Sequence, residues 1–249
     1  MRKVTVLAVS VVLFAAAGVW GAESRTDVFK TEQGNLELKV LGHGSLMFKY
    51  QGKIIHVDPF SKMADYAKLP KADILLITHD HPDHLDLKAI KGIRTEKTVV
   101  VTPESAKNKL RANVVLRNGE SKTVEGVPIQ AVPAYNIVQK RPSGQPYHPK
   151  GWGNGYVITF GNLKVYVAGD TEYIPEMKSL KGIDIAFLPI NQPYTMTAAM
   201  VIDAARSFKP RILYPYHHAM GSTDISKLPG LMKDVPGVEL RIVGKSGGS

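Results

Sequence analysis

The chain contains no cysteine among its 249 residues. Disulfides, thiolate metal ligands, a cysteine nucleophile and a lipid-modified cysteine are excluded, so any metal must be held by imidazole and carboxylate. Acidic side chains are also few, 22 against 32 basic ones. The excess lysines (Lys62, Lys68, Lys71, Lys88, Lys91) are scattered singly, and no basic stripe is interleaved with aromatics. That pattern reads as a solvated basic surface, which argues against a nucleic-acid partner and favours small anionic substrates. Long apolar runs are scarce too. The one run, Val4 to Trp20, follows Arg2 and Lys3 and ends in small residues around Gly21 and Ala22. This is the layout of a secretory signal peptide, and the run is slightly short for a span of ~20 residues, although an uncleaved anchor is the other reading. The expectation is a signal over residues 1–22 and one domain over 23–249, periplasmic or secreted, with no stable membrane span after cleavage. Loss of Arg2 and Lys3 leaves 30 basic against 22 acidic residues, a net charge of +8.

No internal repeat or linker interrupts the remainder. Short apolar or alternating runs predict strands at LELKV (36–40), SLMFKY (45–50) and KIIHVD (53–58), with Gln51-Gly52 as a tight hairpin turn. ADILLIT (72–78) is continuous enough for a strand buried on both faces. Further strands are expected at TVVVT (98–102), VVL (114–116), SKTV (121–124), VPIQAV (127–132), 156–169 as a hairpin, 183–190, 211–217 and 238–243. Helices are expected after Pro103 and over 197–209. Residues 135–153 form a long Pro/Gly/Lys loop, of the kind that is functional or disordered. Many strands first, then strands alternating with helices, give an α+β layered sandwich.

The densest chemistry is LLITHDHPDHLD, residues 75–86, with three histidines and two aspartates within six positions. Where the chain leaves a buried strand at Thr78, His79 and His81 can converge on one point. Asp83 and His84, a turn further on, can converge on a second, with Pro82 stiffening the bend. Imidazole nitrogen and carboxylate oxygen are zinc ligands, and two ions about 3.5–4 Å apart form a hydrolytic pair.

THDHPDH resembles the H-x-H-x-D-H signature of the metallo-β-lactamase-fold superfamily. LGHGSLMFKYQGKIIHVDPF, VYVAGDTEYIPEM and LYPYHH are similar to segments of its zinc-dependent hydrolase branch related to ascorbate-6-phosphate lactonase, in the same order. The resemblance covers about Leu36 to Arg241 and implies a four-layer αββα sandwich. It implies that His79 and His81 hold a first metal, Asp83 and His84 a second, that Asp170 bridges them and that His217 completes the second. A turn or helix-capping aspartate is the plainer reading of Asp170. His217 is preferred to His218 on spacing, leaving His218 as a substrate contact. The family usually supplies one more histidine from a strand end, where this chain has Tyr135 and Asn136. His148, in HPKG on the long loop, is the candidate replacement. Its alternatives are a substrate ligand or a surface histidine, with the first metal held by two histidines and Asp170. Asn136 is then expected to orient water or substrate.

Around this set, Asp58 either accepts from the far nitrogen of a ligating histidine or serves a turn before Pro59. His43 reads equally well as a buried structural histidine. Tyr194 either lines the pocket or stands beside a helix capped by Thr195 or Thr197. The function expected is a metal-dependent hydrolase of a small, possibly anionic ester, lactone or phosphodiester. It would use two zinc ions, with manganese as the alternative, and Asp83 would take the proton. His148 or His218 are the candidates for donating to the leaving group. The alternative is a non-catalytic exported protein that binds metal or ligand on the same scaffold.

Overall fold

A computed structural model describes residues 26–218 and 223–243. The proposed signal peptide and the terminal GKSGGS, expected to be frayed, lie outside the described residues. Two seven-stranded sheets face each other, each in chain order. In the first, β1 (Thr26–Thr31), β2 (Gly34–Gly42), β3 (Ser45–Tyr50) and β4 (Lys53–Val57) are antiparallel. They continue in parallel through β5 (Ile74–Leu76), β6 (Val99–Thr102) and β7 (Val114–Val115). The second sheet does the same, with β8 (Ser121–Val124), β9 (Val127–Ala134), β10 (Gly153–Phe160) and β11 (Leu163–Val167) antiparallel. β12 (Ile185–Pro189), β13 (Ile212–Tyr216) and β14 (Glu239–Leu240) follow in parallel. One plan is used twice, although no repeat is visible residue by residue.

Parallel neighbours require crossovers. These carry α1 (Leu87–Ile93), α2 (Lys107–Leu110), α3 (Ala198–Phe208) and α4 (Leu228–Met232) on the outer faces. The continuous apolar strands are explained by burial on both sides. Ile74 and Leu76 of β5 enter the core between the sheets, while Leu75 and Ile77 meet Ala89, Ile90 and Ile93 outside. In β12, Ile185 and Phe187 point inward and Ala186 and Leu188 pack with Val201 and Ala205 of α3. The result is the αββα sandwich. Among the described residues, no helix is long and apolar enough to cross a membrane.

The Gln51-Gly52 turn joins β3 to β4 with both residues left-handed, φ 49° and 75°, the pairing that suits a two-residue hairpin. Two elements have no forecast in the sequence. β1 is a half-exposed strand with little apolar alternation. α1 is interrupted by Gly92, where a Cβ would stand 2.9 Å from the Tyr66 carbonyl carbon, so close helix packing demands a residue that disfavours helix. Asp86 compensates by accepting from the N–H groups of Lys88 and Ala89.

His56 of β4 is fully buried and donates from Nε2 to the Pro70 carbonyl at 3.0 Å. Burial pushes its pKa down to about 4, against the opposing pull of that carbonyl. The unfolded chain therefore binds a proton that the folded chain refuses between pH 6.5 and about 4. Its contribution is present above that window and is lost as pH falls through it, on the order of 3 kcal/mol. Urea unfolding across pH 4–7 should show a shallower acid loss in His56→Leu than in the parent. Parallel pH profiles would refute this.

Candidate metal centre

Both sheets deliver their strand ends to one edge of the sandwich. His79, His81, Asp83 and His84 follow β5, Asp170 follows β11, His217 follows β13 and Asp58 follows β4. His43 stands in the β2–β3 turn. Six of the eight histidines thus gather in one place.

Two groups of donors result. His79, His81 and His148 form one, with His79 Nε2 and His81 Nδ1 3.0 Å apart. Asp83, His84 and His217 form the other together with His43. His84 Nε2 and His217 Nε2 are 2.9 Å apart, and Asp83 Oδ2 lies 3.8 Å from the first and 3.6 Å from the second. Asp170 stands between the groups. Its Oδ1 is 3.3 Å from His217 and 3.4 Å from His84, and its Oδ2 is 3.3 Å from His148 and 4.0 Å from His79.

Hydrogen bonds on the far side of each ring decide what faces inward. Asp58 Oδ1 accepts from the Thr78 N–H at 2.8 Å, and Oδ2 accepts from the Thr78 hydroxyl at 2.6 Å and from His84 Nδ1 at 2.7 Å. With its proton given to Asp58, the Thr78 hydroxyl is left to accept from His79 Nδ1 at 3.0 Å. One buried carboxylate therefore turns the Nε2 lone pairs of both His79 and His84 toward the centre. Asn136 Oδ1 accepts from His148 Nδ1 at 2.7 Å and from its N–H at 2.9 Å, which sets the Nε2 of His148 the same way. Such supports hold the tautomer and ring orientation of ligating histidines.

The residues fit a metal. Inward-facing imidazole lone pairs 2.9–3.0 Å apart repel unless a cation or proton lies between them. Asp170 Oδ1 is buried with no hydrogen-bond donor, an uncommon state for a carboxylate oxygen. The charges agree. Burial holds His79 well below the ordinary imidazole range and His81 at about 4, so both are neutral ligands near pH 7. Burial opposes charge on His84 as well, but Asp170 and Asp58 outweigh it and raise its pKa, so that a proton takes the place of other positive charge there. Burial likewise opposes ionisation of Asp170, and His217 and His84 overcome it, keeping the carboxylate well below its usual range.

Several expectations are refined by these positions. Asn136, expected to orient water or substrate, uses its oxygen on His148 and its Nδ2 on the Tyr194 carbonyl at 2.9 Å. His148, weighed as a donor to the leaving group, has Nδ1 committed to Asn136 and Nε2 facing Asp170. His218 is buried but belongs to neither donor group. Tyr194 is exposed and packs edge-on against Tyr147, while Thr197 supplies the cap of α3. His43 is buried beside the donors. Its Nε2 lies 2.9 Å from Asp83 Oδ2, and its ring packs tilted against that of His217 at 3.7 Å between centroids. The flanking glycine was the available signal, since a Cβ on Gly44 would stand 3.0 Å from His84 Cε1. Asn191 and Trp152 carried no signal. Asn191 faces His217 Nδ1 at 3.3 Å, and Trp152 walls in the rings of His79, His81 and His148. His43, Asp58 and His217 all have left-handed backbone, φ 49°, 45° and 64°. This is the kind of strain that collects at functional sites.

Comparison with known proteins agrees with this arrangement. Residues 37–217 match the family model described as the beta-lactamase superfamily domain. A UPF0173 metal-dependent hydrolase of Thermoplasma acidophilum is 31% identical over 194 residues, 73% of this chain and 83% of that protein. A crystal structure from Parabacteroides distasonis, described as a metal-dependent hydrolase, is 50% identical with a TM-score of 0.83, covering 89% of this chain and 99% of that one. The diiron β-hydroxylase CmlA of Streptomyces venezuelae, at 18% identity and TM-score 0.67 over 84% of this chain and 53% of its own, shares the fold alone. With family model, relatives and a His/Asp cluster in agreement, this chain belongs to the beta-lactamase superfamily and, within it, to the metal-dependent hydrolases.

Proposed function

We propose that this protein is an exported zinc hydrolase that holds two ions and cleaves a small, negatively charged ester, lactone or phosphodiester. The observation that carries the reading is the meeting of two donor groups on the single carboxylate of Asp170. The donors are nitrogen-rich and include no thiolate, a set that suits zinc better than the oxygen-rich surroundings manganese takes. When bound, such ions lower the pKa of a coordinated water and polarise the oxygen of the scissile group.

The chain's own residues supply the rest. Asp58 and Asn136 fix the ligand tautomers. Asp83, its side chain 34% exposed where Asp170 is 4%, is the acid of the centre that a substrate can reach. Burial disfavours its charge, but His217 and His43 beside it prevail and hold it well below the usual carboxylate range. It is ionised at every working pH, so it accepts a proton only in passing. Beside it opens a cleft of about 760 Å³ whose lining includes His43, Asp83, Phe60, Leu87, Lys62 and Lys88. The two lysines, beside Phe60 and Leu87 in the same lining, suit a small molecule bearing negative charge.

Elemental analysis of the purified chain and its His148→Ala variant tests the centre. Two zinc ions in the parent and about one in the variant are expected; equal content in both would remove His148 from the ligand set. Within a screen of esters, lactones and phosphodiesters, Lys62→Gln and Lys88→Gln should each raise KM for anionic substrates about tenfold, about 1.4 kcal/mol. Neutral analogues should be unaffected, and equal losses on both would discard the charge argument. Cell fractionation with N-terminal sequencing should find a periplasmic or secreted chain beginning near Glu23. An intact N-terminus held in the membrane fraction would count against export.

A further inference from the structure

Glu172 stands two residues beyond Asp170 and is fully buried, and among the described residues no basic side chain pairs with it. Its carboxylate instead accepts from three successive backbone N–H groups. Oε2 takes Ile137 at 2.8 Å and Val138 at 2.7 Å, and Oε1 takes Gln139 at 2.7 Å. Those residues open the loop 135–153. The same strand end is tied to the loop twice more, through the Glu172 N–H to the Tyr135 carbonyl at 3.0 Å and the Tyr135 N–H to Thr171 Oγ1 at 3.1 Å. Asn136 lies within this clamp. It in turn holds His148 by both the backbone N–H and Nδ1, and its own N–H donates to the His148 carbonyl at 2.9 Å.

We infer that Glu172 is a positioning residue of the metal centre. By gripping residues 137–139 it fixes Asn136, and through Asn136 it sets the His148 ring with Nε2 beside Asp170. An irregular loop has no sheet ladder to hold a ligand in place. A buried carboxylate receiving three N–H groups gives this one comparable rigidity, because charge-assisted hydrogen bonds are stronger than neutral ones. The segment that carries both Asp170 and Glu172 thereby sets the third imidazole of the His79 and His81 group. The inference rests on His148 being a ligand.

The test uses the full chain, stripped of metal and titrated with Zn²⁺ against a chromophoric chelator and with Co²⁺ by its visible spectrum. It compares the parent, Glu172→Gln, Glu172→Ala, His148→Ala and the two double variants. Glutamine keeps the shape but turns an NH₂ group toward one of the three N–H donors, so it folds as the parent does while loosening the clamp. Hydrogen exchange at the amides of residues 137–139 reports that loosening directly. The expected result is faster exchange at those amides and zinc affinity of one site down by about 10–100-fold in Glu172→Ala, less in Glu172→Gln, with an altered Co²⁺ spectrum. In the His148→Ala background the same changes should cost no further affinity. Faster exchange with unchanged affinity overturns the inference, as does an equal loss with and without His148. Parent affinity in His148→Ala alone overturns the ligand assignment instead, so the two failures are distinguishable.

Discussion

Asp170→Asn should lose hydrolysis by on the order of 10³-fold or more, about 4 kcal/mol of transition-state stabilisation, and with it most of the bound metal. The reason is shared geometry. Asp170 is the carboxylate within 3.3–3.4 Å of His84, His217 and His148 together, so its loss weakens both donor groups, where loss of any one histidine weakens one. The amide is isosteric but uncharged, and an amide oxygen is a weak ligand beside a carboxylate. In the metal-free protein the change also strips His84 of the first of the charges that raise its pKa. The amide keeps the shape of the carboxylate and His84 keeps Asp58 as its partner, so the variant should remain folded. Metal content by elemental analysis and kcat/KM on the best substrate decide the matter. An Asp170→Asn chain that retains the parent's metal content would show that Asp170 does not serve both donor groups.

The largest effect on stability is expected from Asp58→Ala. It strands three buried donors at once: the Thr78 N–H, the Thr78 hydroxyl and His84 Nδ1. Each buried donor without an acceptor costs about 1–3 kcal/mol, so a loss on the order of 3–5 kcal/mol is expected by urea unfolding of the metal-free chains. Zinc affinity should fall by about 10–100-fold at both sites, since both His79 and His84 lose the support that fixes their tautomers. Asp58→Asn separates the two effects. Its oxygen still accepts from Thr78, while its NH₂ group can only donate to His84 Nδ1, so affinity should drop with a smaller loss of stability. A variant with parental stability and affinity would reduce Asp58 to the turn residue that its position before Pro59 also allows.

The strand at 72–78 was legible because burial on both faces leaves an unbroken apolar run, and the metal-binding character of residues 79–84 because coordinating side chains were contiguous. His148 is the one histidine between His84 and Asp170, so the further histidine that the family resemblance implies pointed to it. The contact of Asn136 with His148 lies outside any local pattern, because its partner is twelve residues away across an irregular loop. The same holds for His43, whose partner Asp83 lies forty residues on. α1 escaped because Gly92 lowers helix propensity to satisfy a contact with Tyr66 that no local pattern reveals.

What the residues alone determined is therefore chemical: a cysteine-free donor set of imidazole and carboxylate, placed at strand ends, with the apolar periods that stack sheets and helices. What only the tertiary structure decided is the second layer of contacts, in which Asp58 serves two histidines through Thr78 and Glu172 grips the loop of His148. Local sequence encodes what a side chain can coordinate. The direction in which its lone pair points is set by a hydrogen bond from across the fold, and that exists only once the sheets have packed.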